Sequence, residues 1–254
     1  MQALAASKPR RLASHATGHS GHQVVVVALR APVFVGHDQR LPGTSRGGPG
    51  PEVPVELSTG PVYSQLVPPP AGLLLTHGAG SDRNHSSLVA LEERLDPLPV
   101  ERVDFPYRRE GRRFPDRAAK LVEFVGERAT ALAAEAGTTV DRLVLGGRSM
   151  GGRICSMAVA AGLPAVGLIL VCYPLHPPKN PENLRVEHFG AIEVPCLFVS
   201  GDRDPFGSPE EFSVHLPLIT GPVTTVWLEG ARHDLTGRDG PICDAVVDWM
   251  AGLA

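Results

Sequence analysis

The 254 residues contain no run of 18 or more apolar residues, so a membrane span is not expected. The first twenty residues also lack the apolar core of a signal peptide. The longest early run, Val24 to Leu29, is too short to cross a bilayer and is followed by Arg30. Cysteine is scarce. Cys155, Cys172, Cys196 and Cys243 stand far apart with no C-x-x-C pair, which disfavours a zinc site or a disulfide framework and suits reduced thiols in a cytoplasmic protein. Cys172 in "LILVCYP" and Cys196 in "VPCLFV" sit in strand-like runs and read as small buried hydrophobes. Lysine is rarer still, three against 21 arginines. None of the three precedes a Ser or Thr, which leaves a phosphate-loop reading of the glycine-rich segments without its cation. No internal repeat is visible.

What is present fits a globular chain. Apolar residues make up 43%, and the length supports one large α/β domain with a full core. Charge is uneven: residues 1–50 carry six Lys or Arg and one acid, Asp38, whereas the rest carry 18 basic and 26 acidic residues. The main part is acidic, which argues against nucleic acid as a partner. The first fifty residues, with "SHATGHSGH" and a Gly-Pro-rich end, read as a disordered or poorly packed extension. An overextended start in a G+C-rich reading frame, or an acid-free transit peptide, would produce such a segment. His15, His19 and His22 follow helical spacing, but Gly18 and Gly21 oppose the helix that would gather them, so a solvated tail is expected there and not a metal site. The expected division is an extension at 1–50 and one packed domain at 51–254.

From residue 53 onward short apolar runs alternate with longer helical patterns, as in a mostly parallel sheet covered by helices. Strands are predicted at 53–58, 61–67, 71–76, 100–104, 141–146, 166–172, 195–200 and 222–228. The clearest helix is 116–136, where Leu121, Val125, Ala129 and Leu132 recur at helical spacing between Pro115 and Gly137. A last helix is predicted at 241–250, with Pro241 in its first turn. The first two predicted strands are joined by "STG", a hairpin-sized link, so the sheet is expected to begin antiparallel.

Four short motifs carry the chemistry. "LVLGGRSMGGR" holds G-x-S-x-G at Gly147, Ser149 and Gly151. With 28 glycines in the chain the pattern alone means little, but here it joins a predicted strand to a predicted helix, the context of a nucleophile elbow. The flanking glycines have a steric reason, since a strained turn brings backbone against backbone. A serine nucleophile needs a base, an orienting acid and an oxyanion hole. "GDRDPFG" after the strand at 195–200 offers Asp202 and Asp204; Asp204 is preferred because the turn carries it toward the histidine loop, with Asp202 expected to cap the turn. "ARHDL" after the last strand offers His233 as base. "HGAG" at His77 to Gly80 ends the strand at 71–76, and the Ala79 amide would pair with the Met150 amide as oxyanion donors. His77 is expected to hydrogen-bond within its loop, and His85 to start the helix "SSLVALEERL" or to touch substrate.

Taken together, "HGAG", "DFPYRREGRRFPDR", "GGRSMGGR" and "SGDRDPFG" resemble the α/β-hydrolase superfamily over residues 53–254. Their particular forms look like a dienelactone-hydrolase-related subgroup of predicted bacterial hydrolases, itself similar to the hydrolase-like domain of subunit three of the nonspecific lethal chromatin complex. The resemblance implies an α/β-hydrolase fold with Ser149, Asp204 and His233 as triad, no cofactor and no metal, acting on a small-molecule acyl substrate. The link from Tyr173 to Glu193 is too short for a sizeable helical lid, so an open acyl site with minimal or no lid is expected.

Arg148 and Arg153 flank the serine and would favour a carboxylate-bearing substrate, unless they pair with acids such as Asp104 or Glu110. Two other readings stay open: a peptidase or thioesterase using the same triad, and a scaffold module that keeps the fold without turnover.

Overall fold

The computed structural model describes residues 13–14, 24–29 and 69–253. Among the described residues, the strands of one sheet are β1 (Ala13–Ser14), β2 (Val24–Leu29), β3 (Gly72–Thr76), β4 (Val100–Val103), β5 (Leu143–Arg148), β6 (Gly167–Val171), β7 (Cys196–Gly201) and β8 (Val223–Leu228). Their order across the sheet is β1-β2-β8-β7-β6-β5-β3-β4. The six strands β3 to β8 run parallel, and β2 and β1 add an antiparallel margin beyond β8. The register sets the carboxyl ends level: Thr76 pairs with Gly147, Arg148 with Val171, and Gly201 with Leu228. In open α/β sheets that rim is where sites are built.

Both sheet faces are covered, and the strands show it by alternation. Leu73, Leu75, Val144, Ile169, Val171, Leu197 and Val199 point into one core, closed by α1 (Ser86–Leu95) and α6 (Asp239–Ala251). Leu74, Leu143, Leu145, Leu168, Leu170 and Phe198 point into the other, closed by α3 (Ala118–Glu135) and α4 (Met150–Ala160), with α2 (Pro106–Arg109) and α5 (Pro209–His215) at its borders. Period-two alternation with both faces apolar is what a doubly covered parallel sheet requires. Each fully buried Leu contributes about 2 kcal/mol of transfer free energy. No helix among the described residues is long and apolar enough to cross a membrane.

Most predicted elements fall within two residues of the observed ones. β5 starts at Leu143 and not at 141 because Val140–Arg142 closes as a 3₁₀ turn. Between β6 and β7 the chain carries one such turn, Phe189–Ala191, and no α-helix. The predicted strands 53–58 and 61–67 lie outside the described residues.

Within the segment expected as an extension at 1–50, Val24–Leu29 pairs residue for residue with β8, from Val24 opposite Leu228 to Leu29 opposite Val223. The physical reason is local. "VVVVAL" has the β-branched composition that favours a strand, and β8 would otherwise present an open edge of unpaired amides and carbonyls. Deleting residues 1–50 is therefore expected to cost about 2 kcal/mol or more, a fall of about 4–8 °C in Tm. An unchanged Tm in thermal unfolding would show that this pairing adds nothing to stability.

Candidate active site

The turn between β5 and α4 holds Ser149 at φ 53°, ψ −117°, a conformation that costs a non-glycine residue roughly 1–3 kcal/mol. It is held by close contacts on both sides. A Cβ at Gly147 would overlap Thr76 at the end of β3, and one at Gly151 would come within 2.7 Å of the His77 carbonyl. The Ser149 amide donates to Val171 O at 2.8 Å and its carbonyl accepts from Arg153 N at 3.1 Å, so the turn is tied to β6 and to its own helix. Strand, turn and helix thus raise Ser149 above the carboxyl rim.

The structure brings Ser149, His233 and Asp204 into one chain of hydrogen bonds. Ser149 Oγ lies 2.9 Å from His233 Nε2, and His233 Nδ1 lies 2.8 Å from Asp204 Oδ2. With Asp204 as acceptor, Nδ1 carries the proton and Nε2 is free to accept from Ser149. Asp204 is 5% exposed and its second oxygen accepts from the Phe206 amide at 2.9 Å. That bond forms the turn, so the capping role expected of Asp202 falls to Asp204; Asp202 Oδ1 is buried without a partner. Phe206 stacks on the imidazole with ring centres 4.0 Å apart. Nothing in the spacing of "GDRDPFG" marks Phe206 for this position.

Arg148 takes a place the sequence did not indicate. It is 8% exposed, and its Nη2 donates to the His233 carbonyl at 2.5 Å. Cys172 Sγ donates to the same carbonyl at 3.1 Å. Arg148 makes no ion pair among the described residues: the acids proposed as alternatives are engaged elsewhere, Asp104 3.8 Å from Arg83 and Glu110 2.7 Å from Arg112. Arg148 therefore braces the histidine loop through Nη2 while also lining the cavity over Ser149.

On the opposite rim, His77 Nε2 accepts from the Phe105 amide at 3.1 Å, so its Nδ1 donates to Gly78 O at 2.7 Å. Gly78 O also accepts from Ser81 N at 3.1 Å. The Gly78 carbonyl and the Ala79 amide belong to one planar peptide unit, so these bonds fix the direction of the Ala79 N–H. Tyr107 Oη holds the next carbonyl, Ala79 O, at 2.9 Å. Burial lowers the His77 pKa, which suits a neutral structural imidazole. His85 caps α1 through Nδ1, accepting from Ser87 N at 3.3 Å, and also lines the cavity.

A cavity of about 880 Å³ opens over Ser149, with Ala79, Met150, His233, Phe206 and Asp234 in its wall. Four arginines share that wall: Arg148, Arg153, Arg185 and Arg232. Below Arg153, the Ser156 hydroxyl lies 2.8 Å from both Arg153 O and His188 Nε2. Burial, with Arg153 as the second cause, pushes His188 down to about 4. Cys172 Sγ, an Asp204 oxygen and a His233 nitrogen lie within 4.8 Å of one another. That set fits a metal poorly, because burial pushes the Cys172 thiol up to about 12 and the other two groups already bind each other.

Two outcomes follow from this geometry. Arg148→Met, which frees the His233 loop, is expected to slow reaction of Ser149 with a fluorophosphonate by about 10- to 100-fold, the scale of an ångström-sized misplacement; an unchanged rate would remove the bracing role. His188 and His77 are held neutral with depressed pKa values, so only the unfolded chain gains their protons as pH falls below about 6.5. Stability should therefore be full at pH 7 and decline toward pH 4, and His188→Asn should shrink the fall in Tm. An equal fall in parent and variant would clear His188.

The chain matches the family model described as "Alpha/beta hydrolase domain" over residues 69–241. Its fold is similar to a structure described as an alpha-beta serine hydrolase homologue from Coxiella burnetii, at 17% identity, covering 98% of each chain with a TM-score of 0.54. It is also similar to a putative hydrolase of the alpha/beta superfamily from Xanthomonas campestris pv. campestris, at 21% identity over 72% of this chain and 98% of that one, TM-score 0.53. A metagenome-derived lipolytic enzyme matches at 15% identity over 72% and 95%, TM-score 0.57. With the family model spanning most of the chain and the six-stranded parallel sheet carrying the site at its carboxyl rim, this protein belongs to the alpha/beta hydrolase family.

Proposed function

We propose that the protein is a metal-independent serine hydrolase that cleaves carboxylic-ester or related acyl bonds of a small molecule. The observation that carries this is the hydrogen-bond chain from Ser149 through His233 to Asp204, at 2.9 and 2.8 Å. As Ser149 Oγ attacks the acyl carbon, its proton passes to His233 Nε2. The imidazolium so formed keeps its Nδ1–H on Asp204, whose buried carboxylate balances the new charge. The negative charge on the carbonyl oxygen falls to the Ala79 and Met150 amides, each such donor being worth about 3 kcal/mol in a hydrolase of this kind. His233 then gives its proton to the leaving alcohol, a water loses its proton to His233 in turn, and the acyl-Ser149 ester is hydrolysed.

The lipolytic activity of one structural neighbour agrees with ester chemistry. The motif forms support placement in the dienelactone-hydrolase-related subgroup, and the 3₁₀ turn as sole helical element between β6 and β7 supports a site with little or no lid. Four free, buried cysteines suit a cytoplasmic location.

Labelling with a fluorophosphonate tests the reading. The parent should be labelled and Ser149→Ala should not, and Asp204→Asn should lower kcat on a short acyl ester by about 10⁴-fold. Absence of labelling in the parent, or equal labelling of Ser149→Ala, would overturn the proposal in favour of a scaffold module.

A further inference from the structure

Arg153 lies one helical turn after Ser149, and the Arg153 N to Ser149 O bond of 3.1 Å marks that turn. Residues four apart share a helix face, and helical side chains lean toward the N-terminus, so Arg153 leans back toward the serine. Arg185 comes from the irregular segment after β6. Its backbone is clamped at both ends: its amide donates to Leu175 O at 2.9 Å and its carbonyl accepts from Tyr173 Oη at 2.5 Å. Both side chains line the cavity above Ser149.

Neither guanidinium has an ion pair or a side-chain hydrogen bond among the described residues, while ten other arginine and lysine side chains there are paired: Arg83, Arg94, Arg102, Arg108, Arg112, Lys120 and Arg128 with acids, and Arg142, Arg148 and Arg238 with backbone carbonyls. Arg153 Nε is buried with no partner, as are Arg142 Nε and Arg148 Nε, but those two guanidiniums each donate through Nη2 to a backbone carbonyl and Arg153 does not. Partial burial and the neighbouring Arg153 charge lower the Arg185 pKa. Two partly buried like charges side by side repel and are poorly hydrated, a cost that a bound anion relieves. Glu187 faces Arg185 from the exposed side and Asp234 lines the cavity, yet neither comes within 4 Å of these guanidiniums. The exposed Arg232 adds a third cation at the mouth.

Resting on the serine-hydrolase reading, we infer that Arg153 and Arg185 form an anion subsite beside Ser149, and that the substrate is an acyl ester bearing a second, carboxylate group that sits between these two guanidiniums. A carboxylate matches the pair: its two oxygens accept from two planar forks, and its single charge leaves one positive charge to face Glu187. This separates the two arginines of the elbow. Arg148 braces His233; Arg153 selects the substrate.

The test compares a hemisuccinate monoester with the butyrate ester of the same alcohol. The ratio of their kcat/KM values should fall by about tenfold or more in Arg153→Gln/Arg185→Gln, mainly through KM of the acidic ester. The variant should fold, since no ion pair is lost and a repulsion is removed; its Tm should equal or exceed the parent's. Binding is read without turnover by titrating glutarate into Ser149→Ala by calorimetry. Heat of binding that disappears when both arginines are also replaced supports the subsite even where no ester is cleaved, so failure of the hydrolase reading and failure of the subsite are told apart. A selectivity ratio within about twofold of the parent's, glutarate binding that survives the double substitution, or binding of inorganic phosphate but not glutarate would each overturn the carboxylate assignment.

Discussion

The close approach of Thr76 to the turn at Gly147–Gly151 is the constraint on which the rest of the site depends. Only at that distance can β3 and β5 deliver the two halves of the proposed oxyanion site, the loop at Ala79 and the start of α4 at Met150, to one cavity. The same approach leaves no room for a Cβ at either glycine, and it forces Ser149 into positive φ. Strain of this kind persists only where neighbours over-determine it. Here a bond to Val171 on β6, a bond to Arg153 on α4 and two backbone contacts from β3 do so together. Ser149 is thus fixed by three strands and a helix, and loop chemistry alone does not position it.

The histidine is fixed differently, by charge. Asp204 and Arg148 are both buried, and each acts on His233 at a different point: the carboxylate on the ring nitrogen, the guanidinium on the backbone carbonyl. Opposite charges set on one residue reduce the cost that either would meet alone in a low-dielectric site. Cys172 at the end of β6 adds a thiol to the same carbonyl, and Phe206 covers the ring. The loop after β8 is therefore tied to the ends of β5, β6 and β7. A parallel sheet that sets those ends level makes this possible.

Ser149, Asp204 and His233 could be picked out of the sequence because each follows a run with strand periodicity, and a strand's end is where a parallel sheet exposes side chains. Asp204 was separable from Asp202 by its distance along the turn, although the turn-capping role went to the wrong carboxylate: the Phe206 amide that decides it is invisible to composition. Val24–Leu29 was noticed as an apolar run and assigned to the extension, since its pairing partner lies about 200 residues further on and the Gly- and Pro-rich residues around it dominate the local pattern. Arg185 carried no signal at all. It sits in irregular chain, and what brings it to the cavity is a pair of backbone bonds to Leu175 and Tyr173.

The clearest limit of reading by residue type is the pair in "GGRSMGGR". Arg148 and Arg153 are identical side chains five positions apart on either side of one serine. Strand geometry turns the first inward, where a backbone carbonyl 85 residues away uses one of its donors. Helix geometry turns the second toward the cavity, where nothing among the described residues uses its charge. A guanidinium at the surface without a partner is ordinary, because water solvates it. Arg148 and Arg153 both have a buried, unpartnered Nε, but Arg148 regains a bond through Nη2, whereas Arg153, beside Arg185 and above a neutral His188, regains none among the described residues. The free energy left unsatisfied there is available to a ligand and to little else, which is why the second arginine, and not the first, points to what the serine acts upon.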